Sequence, residues 1–293
     1  MSPASAAKPE LVELGRARLQ AFGYDTIIMP HALDHGPLYY AGTAADRVAD
    51  LHAAFADPTI EGVLCTRGGW GSAELLPLLD ATLIRANPKV FVGYSDHTSL
   101  HAWLWNECRL PTFYAPMVAA DWSNLDGVDY RTWRAALQSA APWSVGAEDG
   151  LRTLRAGHAE GRLLGGCLSI LVSLLGTPFE PQTEGKLLFL EDTGAKPYQI
   201  DRMLWQLRQA AKLDGVRGIV FGEMLDCASP GAPLELLEEV ILRVFDDFSG
   251  PIAIGLRSGH VSRGNVTLTL GVEAELATAD EATLRLLEPA VIP

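Results

Sequence analysis

The chain has 293 residues, of which 48% are hydrophobic and 20% charged, so it can bury the core of one large or two ordinary globular domains. Its formal net charge of −13 argues against a nucleic-acid partner, which would need a basic face, and against an anionic membrane surface. No apolar run approaches the ~18 residues of a transmembrane helix, and we see no signal peptide.

The first half of the chain alternates helical patterns with short apolar runs. Strands that alternate with helices indicate a mostly parallel sheet with helices on both faces. A strand usually precedes the first helix of such a fold, and none is seen, so either the fold starts with a helix or its first strand lies upstream. The predicted helices cover residues 9–22, 44–55, 72–79 and a segment from 97, and the predicted strands cover 25–29, 61–66 and 90–92.

Two turns follow predicted strands of this unit, the loop 67–71 and the turn 93–96. Because parallel sheets place their sites at the carboxyl ends of strands, both turns are expected to open onto one crevice. Ser95 lies on a strand-to-helix turn, as in a nucleophile elbow, although His97 rather than glycine stands two residues after it. The alternative is that Ser95 or Asp96 only caps the helix.

The glycines of the 67–71 loop, Arg-Gly-Gly-Trp-Gly, have three interpretations. They can cradle a phosphate, but neither G-x-G-x-x-G nor a P-loop lysine is present. They can be ordinary turn residues. They can also provide backbone N–H donors for an oxyanion, which is usually the largest electrostatic contribution to catalysis of acyl transfer.

Residues 141–160 are rich in Ala, Ser, Pro and Gly and predict a linker between an N-terminal unit, 1–140, and a C-terminal unit, 161–293. The fold class is therefore α/β: an N-terminal, mostly parallel sheet flanked by helices, plus a C-terminal mixed α/β domain with short antiparallel strands. In the C-terminal unit we predict helices over 163–176, 198–212 and 234–248, strands over 186–190, 217–222 and 251–255, and short antiparallel strands over 266–270, 273–277 and 283–287.

Two titratable residues of the C-terminal unit also follow strands. Glu191 ends a strand and reads either as a solvated strand end or as a carboxylate that orients a histidine. His260 follows a strand and is either structural or a general base. Together with Ser95 they occur in the order Ser, Glu, His, which is the serine-hydrolase arrangement on open α/β sheets, although spacing alone does not bring them together.

Metal chemistry has little support in the sequence. His97 and His101 have the i, i+4 spacing that suits zinc, but no Glu general base lies between them and no third ligand is evident. The four cysteines form no C-x-x-C pair, and free thiols in a reducing compartment are the simplest account of them. We therefore expect no metal, no cofactor and a cytoplasmic protein.

These motifs, taken together, resemble one family, the LD-carboxypeptidases, or muramoyl-tetrapeptide carboxypeptidases, which are serine peptidases. The resemblance covers nearly the whole chain, and the motifs fall in the family's order. They are T-R-G-G-W-G at 66–71, L-L-P-L-L-D at 75–80, G-Y-S-D-H-T at 93–98, A-P-M at 115–117, G-G-C-L-S at 165–169, G-T-P at 176–178, L-E-D at 190–192, I-D-R-M-L at 200–204 and G-H at 259–260.

The resemblance implies a nucleophile at Ser95, an acid at Glu191, a base at His260 and an oxyanion hole made by the backbone N–H groups of Gly69 and Asp96. It implies hydrolysis of an L,D peptide bond that releases terminal D-Ala from murein tetrapeptides in cell-wall recycling. The expected partner is a small muropeptide, and the expected assembly is a homodimer. Two alternatives stay open: an immunity-type member that cleaves peptidyl or aminoacyl nucleotides, and a non-catalytic nucleotide- or ligand-binding module.

The chain departs from the family pattern in three places. The family's first strand is missing upstream of residue 2. Cys167 stands where the family often has Asn, and the sequence Tyr-Ala-Pro-Met at 114–117 replaces the expected His-Gly-Pro-Met. We expect the last two departures to tune the substrate.

Overall fold

Two β-sheets organise the protein in a computed structural model that describes residues 1–228 and 235–291. Within these ranges no helix has the length and apolar character needed to cross a bilayer. The helices are α1 (Pro9–Ala21), α2 (Ala44–Ala56), α3 (Ala81–Ala86), α4 (Thr98–Cys108), α5 (Tyr130–Leu137), α6 (Leu168–Ser173), α7 (Pro197–Gln209) and α8 (Glu235–Val244). The strands are β1 (Gly62–Leu64), β2 (Val90–Gly93), β3 (Thr112–Tyr114), β4 (Trp143–Val145), β5 (Arg152–Arg155), β6 (His158–Cys167), β7 (Lys186–Glu191), β8 (Gly218–Gly222), β9 (Ile252–Leu256), β10 (Leu268–Leu270), β11 (Glu273–Ala277) and β12 (Thr283–Leu286).

The first sheet has the strand order β1-β2-β3-β10. Strands β1, β2 and β3 are parallel, as predicted, and their carboxyl ends lie at one edge. Strand β10, from the C-terminal part of the chain, completes the sheet by pairing antiparallel with β3. The predicted strand 266–270 is thus antiparallel, but it belongs to the first sheet and not to the second.

The second sheet has the order β4-β12-β11-β6-β7-β8-β9-β5. Strands β6 to β9 form a parallel centre, and antiparallel strands flank it on both sides. The strands predicted over 273–277 and 283–287 are present and pair with each other. The predicted mixed α/β architecture of the C-terminal unit is therefore confirmed.

The predicted helix over 163–176 is largely wrong. Residues 163–167 end β6, and the helix is only α6. A continuous apolar run in a buried central strand resembles a buried helix, and the sequence pattern does not distinguish them. The Gly165 and Gly166 pair, with φ of +138° and +141°, is the local feature that opposes a helix.

The predicted linker also has more structure than expected, because residues 141–160 contain β4, β5 and the start of β6. Strands of three or four residues show too little alternation to be recognised in sequence.

The predicted strand 25–29 is not a strand in the described chain, and its Ile27 is 67% exposed. The predicted helix 72–79 is two 3₁₀ turns, since Pro77 cannot continue an α-helix. The helix predicted from Leu234 begins at Glu235, and Leu234 itself lies outside the described residues.

Close packing joins the two sheets directly behind Ser95. One hydrophobic core contains residues of both, including Leu100 of α4, Phe189 of β7 and Leu268 of β10. At its edge the Thr98 hydroxyl accepts the Cys167 N–H at 2.9 Å. This junction fixes the start of α4 against the carboxyl ends of β6 and β7.

Gly165 provides a test of how closely β6 and β7, which carry one side of that junction, pack against each other. A Cβ at Gly165 would lie 1.8 Å from the Phe189 carbonyl oxygen, so Gly165→Ala forces β6 and β7 apart. We expect a loss of at least about 3 kcal/mol in the free energy of unfolding, measured by urea denaturation. The matched control is Gly176→Ala. Gly176 has a φ of +76°, and a Cβ there would have no other atom within 4 Å, so only the backbone cost of about 1–2 kcal/mol applies. Equal losses in both variants would contradict the close approach.

Candidate active site

Ser95 lies on a strained turn between β2 and α4. Its φ is +64°, and the 3₁₀ turn Ser95–His97 leads from it into the helix. A left-handed backbone at a residue other than glycine costs about 1–3 kcal/mol and persists where its surroundings fix it. One such fixing contact is the Ser95 N–H, which donates to the Tyr114 hydroxyl at 3.1 Å. The turn therefore has the strained geometry of a nucleophile elbow.

The glycine loop 67–71 packs against this turn, as the sheet topology predicts. A Cβ at Gly68 would lie 2.8 Å from Ser95 Cβ and 3.0 Å from Ser95 Oγ, so a larger residue would displace the serine. The N-terminal segment supports the loop, because Ser5 N–H donates to Gly68 O at 3.3 Å and the Trp70 N–H donates to Ser5 Oγ at 3.1 Å. The loop and the turn thus lie directly against each other at the carboxyl ends of β1 and β2.

The two predicted oxyanion donors lie in these neighbouring turns. Across the described ranges, neither the Gly69 N–H nor the Asp96 N–H donates to a protein acceptor. The Asp96 side chain, which is fully buried, accepts the Ser72 N–H at 2.8 Å and so ties the glycine loop to the elbow. Unengaged amides held on rigid turns suit the binding of an oxyanion, and their role stays a prediction.

Glu191 and His260 are in direct contact. Glu191 ends β7 with its side chain fully buried, and its Oε2 lies 2.9 Å from His260 Nδ1 and accepts the His260 backbone N–H at 3.0 Å. The carboxylate accepts the proton on Nδ1, which leaves Nε2 as an acceptor. Gly259 permits this approach, since a Cβ there would lie 2.6 Å from Glu191 Cδ.

The charges around His260 favour its protonated form. Burial opposes protonation, but the hydrogen bond and charge of Glu191, with the charges of Asp192 and Asp121, outweigh burial and raise the pKa of His260 above its ordinary value. An imidazole that readily takes a proton while its Nδ1 is held in place has the properties of a general base.

Tyr114 links Ser95 to this pair. Its hydroxyl, at the end of β3, donates to Glu191 Oε1 at 2.6 Å and accepts the Ser95 N–H. The ring of Tyr94 lies edge-on to the ring of His260, with centroids 5.2 Å apart. No hydrogen bond joins Ser95 Oγ to His260 in the described parts of the chain. The structure therefore brings Glu191 and His260 into contact and places Ser95 beside them through two tyrosines.

A second polar network holds the His260 loop, and nothing in the sequence pattern predicts it. Asn265 accepts the Gly259 N–H at 3.0 Å and donates to Gly259 O at 3.0 Å and to Asp121 Oδ1 at 3.2 Å. Burial raises the pKa of Asp121 to about 7, and this residue lies in the π-helical turn Val118–Trp122. Such turns are frequent at functional sites, but no sequence pattern marks this one.

The two candidate zinc ligands lie apart from that network. Both are buried: His101 hydrogen-bonds Thr112 Oγ1 and Gly93 O, whereas the ring nitrogens of His97 have no partner among the residues that the structure describes. In the described ranges, two groups of side chains have potential metal-ligand atoms within 4.8 Å of one another. One group is Cys167, Glu191 and His260, and the other is the more exposed His158, Glu160 and Glu275. Neither group contains His97 or His101.

Comparison with protein families gives two matches along the chain. Residues 1–115 match the model of the LD-carboxypeptidase N-terminal domain, and residues 160–276 match that of the LD-carboxypeptidase C-terminal domain.

Individual relatives agree with these matches. The chain is 36% identical to a protein of Bacillus subtilis named a probable murein peptide carboxypeptidase, over 97% of this chain and 89% of the relative. It is 31% identical to the murein tetrapeptide carboxypeptidase of Pseudomonas aeruginosa, over 89% of this chain and 86% of the relative. Among solved structures, the muramoyltetrapeptide carboxypeptidase of Oxalobacter formigenes superposes with a TM-score of 0.85 at 25% identity, covering 99% of this chain and 98% of that one. The structure of an MccF-like protein of Bacillus anthracis superposes with a TM-score of 0.90 at 27% identity, covering 98% of this chain and 95% of that one.

The buried histidines of α4 and its preceding turn predict how stability depends on pH. Burial lowers the pKa of His97 to about 3 and that of His101 to about 4. Below the ordinary value of about 6.5 the unfolded chain binds protons that the folded chain does not, so the folded state loses stability as pH falls. Between pH 7 and pH 5 we expect each histidine to remove about 1–2 kcal/mol from the free energy of unfolding.

Urea unfolding at the two pH values measures this loss. In His97→Leu the loss of unfolding free energy between pH 7 and pH 5 should be smaller by the contribution of one histidine. The control is His35→Gln, since His35 is exposed. The account of His97 is wrong if His97→Leu and the parent chain lose equal stability on acidification.

Proposed function

The chain belongs to the LD-carboxypeptidase family, and we propose that it is a serine-type carboxypeptidase in which Ser95, Glu191 and His260 act as a triad on an L,D peptide bond. The proposed substrate is a murein tetrapeptide, which loses its terminal D-Ala. One observation carries the proposal: the Glu191 carboxylate holds His260 Nδ1 at 2.9 Å beside the strained turn of Ser95. The cytoplasmic location, the role in cell-wall recycling and the homodimer stay predictions.

The proposed mechanism follows from the position of each group. Ser95 Oγ attacks the scissile carbonyl carbon while His260 Nε2 takes the hydroxyl proton, and Glu191 stabilises the resulting imidazolium. The carbonyl oxygen becomes an oxyanion that accepts hydrogen bonds from the N–H groups of Gly69 and Asp96. His260 then gives its proton to the nitrogen of D-Ala, the C–N bond breaks, and an acyl-enzyme on Ser95 remains.

Water completes the cycle. His260 removes a proton from the water molecule as its oxygen attacks the ester carbon, and the returning proton restores the Ser95 hydroxyl as the tripeptide leaves. The Ser95–His260 hydrogen bond that these steps need is expected to form with substrate bound, because catalytic hydrogen bonds often tighten in the Michaelis complex.

A second candidate function has some support. The MccF-like structure superposes with a TM-score of 0.90, which keeps an immunity-type activity on peptidyl or aminoacyl nucleotides as an alternative. The relatives named for murein peptides are 36% and 31% identical, against 27% for that structure, so the murein substrate is favoured. A purely non-catalytic module is disfavoured because it needs no Glu191–His260 pair beside a strained serine.

Product analysis by mass spectrometry tests the proposal. The purified chain is incubated with a murein tetrapeptide, with the same peptide ending in L-Ala, and with an aminoacyl adenylate. We expect cleavage of the first substrate only, with release of D-Ala, and a loss of about 10⁴-fold or more in kcat for Ser95→Ala. The matched control is Ser144→Ala, an exposed serine on the edge strand β4, which should keep full activity.

Two results would overturn parts of this proposal. Cleavage of the adenylate alone would favour the immunity-type function. Retention of half the activity by Ser95→Ala would remove the serine mechanism.

A further inference from the structure

We propose that Tyr114 is a positioning residue of this site: its hydroxyl couples the nucleophile turn to Glu191 and limits how strongly that carboxylate favours a protonated His260. The inference deepens the proposed function and rests on the triad assigned there. Nothing in the sequence pattern gave Tyr114 a role beyond its departure from the family's histidine.

The position of Tyr114 follows from the first sheet. Strand β3 pairs parallel with β2 in a register that sets Tyr114 opposite Gly93, two residues before Ser95. Glu191 approaches from the second sheet, and the phenol oxygen meets its Oε1 at 2.6 Å. Tyr114 thus brings the first sheet into contact with Glu191, the proposed acid, at the end of β7 in the second sheet.

The hydroxyl has one proton, and its partners decide where that proton points. A carboxylate oxygen only accepts, so the proton lies toward Glu191. A lone pair of the same oxygen then accepts the Ser95 N–H at 3.1 Å. The result is a continuous chain of hydrogen bonds from the Ser95 amide through Tyr114 and Glu191 to His260 Nδ1.

The surroundings hold this hydroxyl in place and keep its proton. The Tyr114 side chain is fully buried, with the ring of Phe189 edge-on at 5.4 Å and the ring of His101 at 5.6 Å. Burial and the neighbouring charge of Glu191 raise the pKa of Tyr114 well above its ordinary value, so the phenol stays a donor across the working pH range.

The chemical consequence concerns Glu191. Its carboxylate accepts hydrogen bonds from both the Tyr114 hydroxyl and His260 Nδ1. The hydrogen bond from the phenol draws negative charge toward Tyr114, so the carboxylate attracts the His260 imidazolium less strongly. Removing the phenol hydroxyl therefore strengthens the attraction for a protonated His260 and raises the pH at which His260 becomes a base.

Other groups also face His260, and a substitution at Tyr114 leaves the chemical identity of each of them unchanged. Asp192 adjoins Glu191 at the end of β7, Asp121 faces His260 from the π-helical turn, Tyr94 packs edge-on from the elbow, and Cys167 lies at the end of β6. A shift in the titration of His260 that appears only when the Tyr114 hydroxyl is lost is therefore assigned to that hydroxyl.

The test is an NMR titration of the His260 imidazole in the full chain, assigned by comparison with His260→Ala. In Tyr114→Phe we expect the pKa of His260 to rise by about half a unit or more. The acidic limb of kcat/KM should move to higher pH by the same amount. The Ser95 turn also loses an acceptor, so kcat should fall about tenfold or more while KM changes little.

The matched control is Tyr24→Phe. The Tyr24 hydroxyl is also engaged, accepting the Trp133 Nε1–H at 2.9 Å and a Gln138 Nε2–H at 3.0 Å, but it lies outside the site. This variant should leave the titration of His260 and kcat unchanged. Equal changes in the two phenylalanine variants would overturn the inference.

A second substitution keeps the inference testable if Tyr114→Phe folds poorly. Incorporation of 3-fluorotyrosine at position 114 makes the phenol a stronger donor without removing the hydroxyl, so the pKa of His260 should fall below that of the parent chain. A His260 titration that is unchanged by both replacements contradicts the inference.

The titration needs no turnover, which separates this inference from the proposed function. If the parent chain releases no D-Ala but the pKa of His260 shifts in opposite directions in the two Tyr114 variants, the coupling stands and the substrate assignment fails. If D-Ala is released and the titration does not move, the substrate assignment stands and the coupling fails.

Discussion

The buried carboxylate of Glu191 is the group on which the site depends. A charge with no exposed surface costs several kcal/mol unless hydrogen bonds compensate it, and here the donors are the His260 backbone N–H, His260 Nδ1–H and the Tyr114 hydroxyl. None of these donors belongs to β7. Their hydrogen bonds to this one carboxylate therefore fix the relative positions of three segments, which are β7, the loop that carries His260 and the end of β3. Gly222 and Gly259 supply the room, since a Cβ at either would lie 2.6 Å from a carbon of the Glu191 side chain.

The packing between the two sheets makes that arrangement rigid. Strand β10 comes from the C-terminal part of the chain and completes the first sheet, while the Thr98 hydroxyl accepts the Cys167 N–H across the junction. A shift of about 1 Å at a catalytic contact can cost about 10²-fold in rate. A shared core and a shared sheet are therefore the physical means by which Ser95, the proposed nucleophile, stays in register with Glu191 and His260, the proposed acid and base.

Local sequence patterns predicted the parts of this structure that local forces determine. The run before Ser95 is β-branched and aromatic and forms β2. Glu191 ends β7 and His260 follows β9, so the sequence could predict that both lie at the carboxyl ends of strands. The helix predicted around Gly165 was wrong because a buried central strand and a buried helix have the same continuous apolar sequence pattern. The contact between Tyr114 and Glu191 could not be predicted from the sequence, since the two residues are 77 positions apart and only the fold brings them together.

The central claim is that Ser95 and His260 work as one unit across the two sheets, and a double-mutant cycle on kcat tests it most directly. The account predicts that Ser95→Ala and His260→Ala each lose nearly all activity, and that the double variant is little worse than either, because removing one member already disables the pair. Losses that multiply in the double variant would mean that the two residues act independently, and the triad would be contradicted.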